Sequence, residues 1–434
     1  MKVGFGQTNI TPSYGMHLPG GHGHAFHNWK HDDCWVTAAV FDDGCNRVAL
    51  VGLDVLSLKR SVCNQAREII EQACGLAGDN VLFGASHTHA GGPCCDLFTT
   101  PSDPAYLQHM VQQMATAVIT ADHNKEELQV GVGVGEAQGL AMPRRWILKD
   151  GRQWSHPGAM PELMDHPQGE LDESVNVLGV ADAGGNLRGA IVNFTCHGTT
   201  LLGEGGTSAD WIHPLRRALK DYYGEDFSVV FLQGACGDVT QVDNTLPTET
   251  VQFGLAIGNR IGQSVAGETI KLLSQMRFTA EAPVAGARRL LQLPPRQPTA
   301  AQLAWAREHT DSTVPTPNWW NNEGFWARSW LELDRHNQSE PLVPCEIQAI
   351  SLGSAAYAAN PSEFFCQLGM DIKRGSPFDQ TFVVGMANGC LGYVPTADAY
   401  EGGYETAMGL FSKMQPGNGE LIVEETLELL HTLA

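Results

Sequence analysis

Two histidines one residue apart close an apolar run, Val81-Leu82-Phe83-Gly84-Ala85-Ser86-His87-Thr88-His89, and Ala90-Gly91-Gly92-Pro93 follows at once. Alternate side chains of an extended chain share a face, so strand geometry would put both imidazoles on one side. The glycines behind them leave room for a group approaching the backbone. Two imidazoles beside an open space suit a divalent cation, zinc above all; the plainer reading is a pair satisfied by backbone groups. The pattern of an apolar strand giving way to polar residues and glycine recurs four times. It is seen at Phe194-Thr195-Cys196-His197-Gly198, Gln233-Gly234-Ala235-Cys236-Gly237-Asp238-Val239-Thr240, Asn360-Pro361-Ser362-Glu363 and Asn388-Gly389-Cys390-Leu391-Gly392-Tyr393. Carboxyl ends of strands are where α/β sheets bind ligands. The five segments together point to one metal-centred site assembled from distant parts of the chain.

Each candidate also has an ordinary use. Glu363 follows Pro361 and would cap a helix start near Ser362. Tyr393 would pack with its hydroxyl on backbone, and His197 would be a satisfied core histidine. Arg144 and Arg145 read equally as a solvated pair. Asp238 either holds a ligand histidine from behind or makes a turn with Gly237. Asp54 and Asp210 are further positioning candidates. His17, His22, His24, His27 and His31 are irregularly spaced among glycines, which favours a mobile loop at the site mouth over a second metal.

The elements that must position these residues alternate between strand and helix, which predicts an α/β fold with a large mixed β-sheet core flanked by helices. Strands are expected at 1–10, 34–41, 47–56, 79–86, 129–137, 227–233, 344–359 and 380–388. A hairpin is expected from 176–183 to 188–196. Helices are expected at 61–74, 104–121, 212–223, 248–275 and 419–432. No internal repeat is visible. Residues 285–340, with Trp305, Trp319, Trp320, Trp326 and Trp330, read as an insertion in a single catalytic domain spanning 1–434. That insertion either covers the site or forms a satellite core.

Composition narrows the partners. The chain has 434 residues, 43% hydrophobic and 17% charged, as a globular protein does, and a net charge of -21. That charge disfavours nucleic acid and stable association with an anionic membrane, and fits a small soluble substrate. Eleven cysteines without metal-type or CxxC spacing, with no signal-peptide core at the start, give a cytoplasmic expectation. Adjacent Cys94 and Cys95 read as packing residues.

Taken in order, the motifs resemble those of the neutral (non-lysosomal) ceramidases and their shorter bacterial relatives. His87-Thr88-His89-Ala90-Gly91-Gly92-Pro93 is similar to that family's His-Thr-His-Ser-Gly-Pro signature, and Cys196-His197-Gly198-Thr199-Thr200 to its second histidine motif. Residues 234–240 are similar to its Gly-Asp-Val-Ser-Pro box, and Asn360-Pro361-Ser362-Glu363-Phe364 to its Pro-Gly-Glu-Phe segment. Gly392-Tyr393-Val394 followed by Tyr404-Glu405 resembles its paired tyrosine motifs. The resemblance covers residues 85–405. It implies the fold of that family's N-terminal domain, and zinc held by His87, His197, Glu363 and Tyr393 with water completing the shell. It also implies His89, Arg144 and Tyr404 around a substrate carbonyl.

Asp238 is then expected behind a ligand, and Thr240 and Asp210 beside the substrate. The chain departs from the family at Thr240-Gln241, where serine and proline would stand, and by stopping short of an immunoglobulin-like domain. The expected reaction is hydrolysis of a linear N-acyl amide by metal-activated water, on a soluble small molecule. A metal-dependent esterase or deacetylase acting on a soluble acyl compound such as a modified sugar is the second reading, and a vestigial binding protein the third.

Overall fold

Runs such as 38–41, 48–53 and 81–85 are apolar along their whole length, and the side chains on both faces are buried. Such strands need a layer on each side. The structure, a computed structural model, describes residues 1–434 except 22–24, 97–99 and 317–320. It supplies those layers in three copies.

The first unit comprises β1 (Lys2–Asn9), β2 (Trp35–Asp42), β3 (Arg47–Leu53), α1 (Arg60–Cys74), β4 (Val81–Ala85) and α2 (Pro104–His123). The second comprises β5 (Gln129–Glu136), β6 (Ser174–Ala181), β7 (Leu187–Phe194), α3 (Ile212–Tyr223), β8 (Ser228–Gln233) and α4 (Leu255–Gln275). The third has β9 (Val284–Leu293), β10 (Val343–Leu352), β11 (Ala355–Ala359), α7 (Cys366–Gly375), β12 (Gln380–Val384) and α8 (Asn418–His431). A helical hairpin, α5 (Ala300–His309) and α6 (Glu323–Ser339), is inserted between β9 and β10.

Each unit pairs its four strands in sequence order, antiparallel, antiparallel, then parallel. Each has one helix crossing between the parallel strands and a second helix after the fourth. The chain is therefore a threefold structural repeat. This corrects the expectation of no internal repeat: backbone pairing is satisfied by any apolar run, so the topology persists where the side chains have no common pattern. The α/β class is as expected, with the sheet divided in three.

The inner faces of the three sheets share one core, in which Phe41, Leu50, Leu178, Ile191, Ile350 and Phe382 are wholly buried. Each outer face packs on its own helices, through Phe83 with Met110, Phe231 with Val265, and Ile347 with Ile422. Fully burying one such side chain contributes about 1.5–3 kcal/mol. The fourth strands meet at their carboxyl ends: Ala85 N donates to Met386 O (3.1 Å), Gly385 N to Gln233 O (3.0 Å), and Gln233 Nε2 to Ser86 O (3.1 Å). In each unit the first, third and fourth strands run the same way, so their following loops open at that shared end. Every candidate site residue lies in one of these loops.

Several boundaries differ from expectation, and the one strand expected over 344–359 is two antiparallel strands, β10 and β11. Residues 284–293 are not insertion but a full strand paired with 343–352, so the inserted segment is 294–342. Its Trp305 and Trp330 rings lie 5.3 Å apart, and Trp326 is buried 6.1 Å from Phe411; Trp319 and Trp320 lie outside the described residues. The helix expected from 248 starts at Leu255, after Gly254 at φ 95°. All eleven cysteines are free, and Cys94 and Cys95 are buried in the first unit. Among the described residues no helix is long and apolar enough to cross a membrane.

Candidate metal centre

β4 ends at Ala85, and His87 then takes a left-handed conformation, φ 63°. This corrects the reason given for the shared face: the two imidazoles converge because the strand is broken, not because it continues. The His87 and His89 rings are 5.0 Å apart. The segment is zipped to the His197 loop by the Thr88–Gly198 bridge and by His89 N donating to Gly198 O (2.9 Å). What approaches the backbone at the glycines is protein: a side chain at Gly92 would strike the Tyr106 ring at 2.2 Å.

The three histidines are oriented alike. His87 Nδ1 lies 2.7 Å from Leu56 O, His89 Nδ1 2.7 Å from Gly20 O, and His197 Nδ1 2.7 Å from Cys236 O and 3.0 Å from Val239 O. A carbonyl only accepts, so each Nδ1 carries the hydrogen and each Nε2 presents a lone pair. Yet the Nε2 atoms of His87 and His197 face each other at 3.0 Å, and His89 Nε2 is buried without a partner. Glu363 Oε2 stands 3.4 Å from the first two.

Two neutral imidazoles cannot hydrogen-bond through two lone pairs. Burial, with Arg144 and His87 alongside, lowers the pKa of His197 to about 4, which opposes a bridging proton. A cation would satisfy the two facing Nε2 atoms and the carboxylate at once. The ligand atoms of His87, His89 and His197 all lie within 4.8 Å of one another, so these buried residues could hold a metal ion, and the carbonyls behind them fix ring orientation as outer partners of metal ligands do. Burial pushes the Glu363 carboxyl up, but His87 and His197 beside it outweigh that and hold it ionised, well below its usual range.

Glu363 and Tyr393 are partners in a two-stranded parallel ladder, Glu363–Phe364 with Tyr393–Val394. Tyr393 Oη accepts from Arg144 Nη2 at 3.1 Å, and the Arg144 guanidinium lies 5.3 Å from that ring. Arg144 is buried, not solvated. Its Nη2 also donates to Gly237 O, and its Nε pairs with Glu405 Oε1 at 2.7 Å. The Tyr404 ring is 5.7 Å from Tyr393 and stacked at 5.3 Å on Phe411, the residue against which Trp326 packs.

Other expectations are redirected. Asp238 does not hold a histidine; its Oδ1 accepts from Cys366 N (2.7 Å) at the start of α7. It is the carbonyls of its own loop that hold His197. Asp210 faces its own turn, accepting from Thr200 Oγ1 (2.6 Å), Thr200 N (3.2 Å), Leu201 N (2.9 Å) and Trp211 N (2.8 Å). Thr240 Oγ1 is 3.3 Å from both Gln241 Oε1 and Val242 N. Asp54 makes a two-point ion pair with Arg216, at 2.5 and 2.8 Å. His27 is a buried structural histidine between Gly91 O (3.1 Å) and Thr207 Oγ1 (2.7 Å). His17 stacks near Phe26 and His31 near Trp29; His22 and His24 lie outside the described residues.

Sequence reasoning missed three contributors. Glu405 was noticed only as part of a motif, although two adjacent arginines called for a counter-charge. His156 carried no signal beyond being a histidine. Gly20 carried none, since its carbonyl meets His89 across 69 residues. A Cβ on Gly20 would lie 1.9 Å from the His89 carbonyl oxygen. Gly20→Ala is therefore expected to push the N-terminal loop off His89, at a cost in stability of about 1–3 kcal/mol that denaturant midpoints would measure.

No protein-family model and no curated protein sequence matches the chain. Solved structures do. The neutral ceramidase of Pseudomonas aeruginosa superposes with a TM-score of 0.75 at 17% identity, covering 100% of this chain and 74% of that one. A structure described as a ceramidase complexed with C2 gives 0.74 at 17% identity, covering 100% and 75%. At that identity the likeness establishes the fold, which is neutral-ceramidase-like.

Proposed function

We propose that this chain is a zinc-dependent hydrolase that cleaves a linear N-acyl amide of a soluble small molecule. The observation that carries the reading is the convergence of the His87 and His197 Nε2 lone pairs and the Glu363 carboxylate, with each Nδ1 locked to a carbonyl and the unpartnered Nε2 of His89 close by. His87, His197, Glu363 and Tyr393 would hold the ion. Bound zinc supplies a Lewis acid that polarises a carbonyl and lowers the pKa of water.

The chain's own residues divide the remaining work. His89 stays neutral, because burial and the neighbouring imidazoles hold its pKa well down. Its unpartnered Nε2 accepts the proton given up by the attacking water and returns it to the amine nitrogen as the C–N bond breaks. Arg144 remains cationic, since Tyr393, Glu405 and Glu363 outweigh its burial. Tyr404 keeps its phenolic proton, because burial pushes its pKa far up. These two donors stabilise the oxyanion as water adds to the carbonyl.

The test is metal analysis of purified protein with turnover on matched amides and esters, before and after chelation. Amide turnover that is lost on chelation and restored by zinc supports the reading. Faster turnover of the matched esters moves it to an esterase or deacetylase, and turnover indifferent to chelation sinks it. Tyr404→Phe is expected to keep the metal and lower kcat by about 10²–10³; unchanged kcat would remove Tyr404 from the mechanism.

A further inference from the structure

Among the described residues, five other than glycine have positive φ: His87 (63°), His156 (50°), Asp210 (58°), Met386 (54°) and Asn388 (60°). Strain of this kind costs of order 1–3 kcal/mol per residue and persists where the surroundings enforce it, often at functional sites. Four of the five have an evident use. His87 aims its ring, and Asp210 organises the turn through Trp211. Met386 O receives Ala85 N, and Asn388 bonds Phe83 through both backbone and side chain. All four of these contacts build or flank the metal centre.

His156 is the one left over, and it is doubly strained. It precedes Pro157, a position that favours extended backbone, yet it has φ 50° and ψ 61°. It follows the strand Gln153–Ser155, where Ser155 pairs with Arg145, and His156 N donates to Arg144 O at 2.8 Å. The imidazole feels the charge of Arg144 and Glu405 and has a hydrogen bond to buried Asn244. Arg144, Arg145, Ser155 and Glu405 around it are buried, while His156 keeps part of its surface open, as do His89, Glu363 and Tyr404.

We infer that His156, held beside Arg144 by its backbone hydrogen bond to Arg144 O, is a substrate-positioning residue whose imidazole hydrogen-bonds a polar atom near the scissile bond of the acyl amide. The inference rests on the hydrolase reading. No proton transfer is assigned to the ring; it orients the substrate against Arg144.

The test compares wild type with His156→Gly and His156→Asn, on whichever amide the wild type turns over best. Glycine adopts the left-handed backbone without strain and asparagine tolerates it, so neither variant should lose fold stability. His156→Gly is expected to keep its metal and its thermal midpoint while kcat/KM falls about tenfold or more, chiefly through KM. Asparagine, which retains a side-chain donor, should recover part of the loss. Stability held while kcat/KM drops is a signature that a packing role would not produce.

If His156→Gly keeps kcat/KM within about twofold of wild type, the inference falls and the hydrolase reading stands. It also falls if activity and thermal midpoint drop together in both variants, because His156 is then structural. If metal-loaded wild type hydrolyses no amide, the hydrolase reading falls and takes this inference with it.

Discussion

Replacing His87 with alanine is expected, on the proposed hydrolase reading, to empty the metal centre, taking bound zinc from about one equivalent to near none and abolishing turnover. The loss should exceed the roughly 10–100-fold weakening produced when only a partner behind a ligand is removed. The reason is geometric. His87 Nε2 is 3.0 Å from His197 Nε2 and 3.4 Å from Glu363 Oε2, so it stands at the centre of the donor set. Its Nδ1 is already committed to Leu56 O, so no other atom of the residue can substitute. The backbone argument is separate: alanine at φ 63° remains strained by about 1–2 kcal/mol, so His87→Gly serves as a control that relieves the strain without restoring a ligand. Thermal stability provides the check. A ligand that binds only the folded state stabilises it by mass action, so a chelator should lower the melting temperature of wild type and leave that of either variant unmoved. A His87→Ala protein retaining full zinc and rate would refute the ligand assignment.

Glu405→Gln should produce the largest loss of stability. Its carboxylate is wholly buried between two arginines, 2.7 Å from Arg144 Nε and 2.7 Å from Arg145 Nη1, and also accepts from Ser155 Oγ. Removing one member of a buried ionic network leaves the others uncompensated, at a cost of about 3–5 kcal/mol. Denaturant midpoints at neutral pH measure this, and kcat should fall as well, because Arg144 loses the partner that aims it.

The effect has a defined pH dependence. Burial raises the Glu405 pKa, but Arg144 and Arg145 outweigh it and bring the group from 4.5 to about 2. A carboxyl whose folded pKa is depressed stabilises the fold fully above the unfolded value and loses that contribution as pH falls towards the folded one. Roughly 3 kcal/mol should therefore be present above pH 4.5 and fade between there and about 2. The stability gap between wild type and Glu405→Gln should close over that window. A gap that stays constant down to pH 2 would show that the charge of Glu405 is not what holds the arginines.

Much of the site was legible before any coordinates. Side chains able to hold a metal are chemically few, and these sit where strands stop, so His87, His197, Glu363 and Tyr393 stand out as candidates by residue type and by the glycine-rich breaks around them. Strand and helix runs were legible for the same reason: the apolar period is a local property, so the bounds of α3 over 212–223 follow from it, and the hairpin expected from 176–183 to 188–196 is found at 174–181 and 187–194. Tertiary structure decided everything that depends on which loop meets which. The threefold repeat is a property of backbone pairing, which leaves no mark on side-chain order. Asp238 and Asp210 bear the right functional groups but spend them on Cys366 N and on a local turn. Gly20 and Glu405 reach the site across long stretches of chain through contacts that no spacing encodes. Chemistry is written in single residues and periodicity in neighbours, whereas hydrogen-bond partners arise only when distant segments are packed, and it is those partners that separate a ligand from a cap.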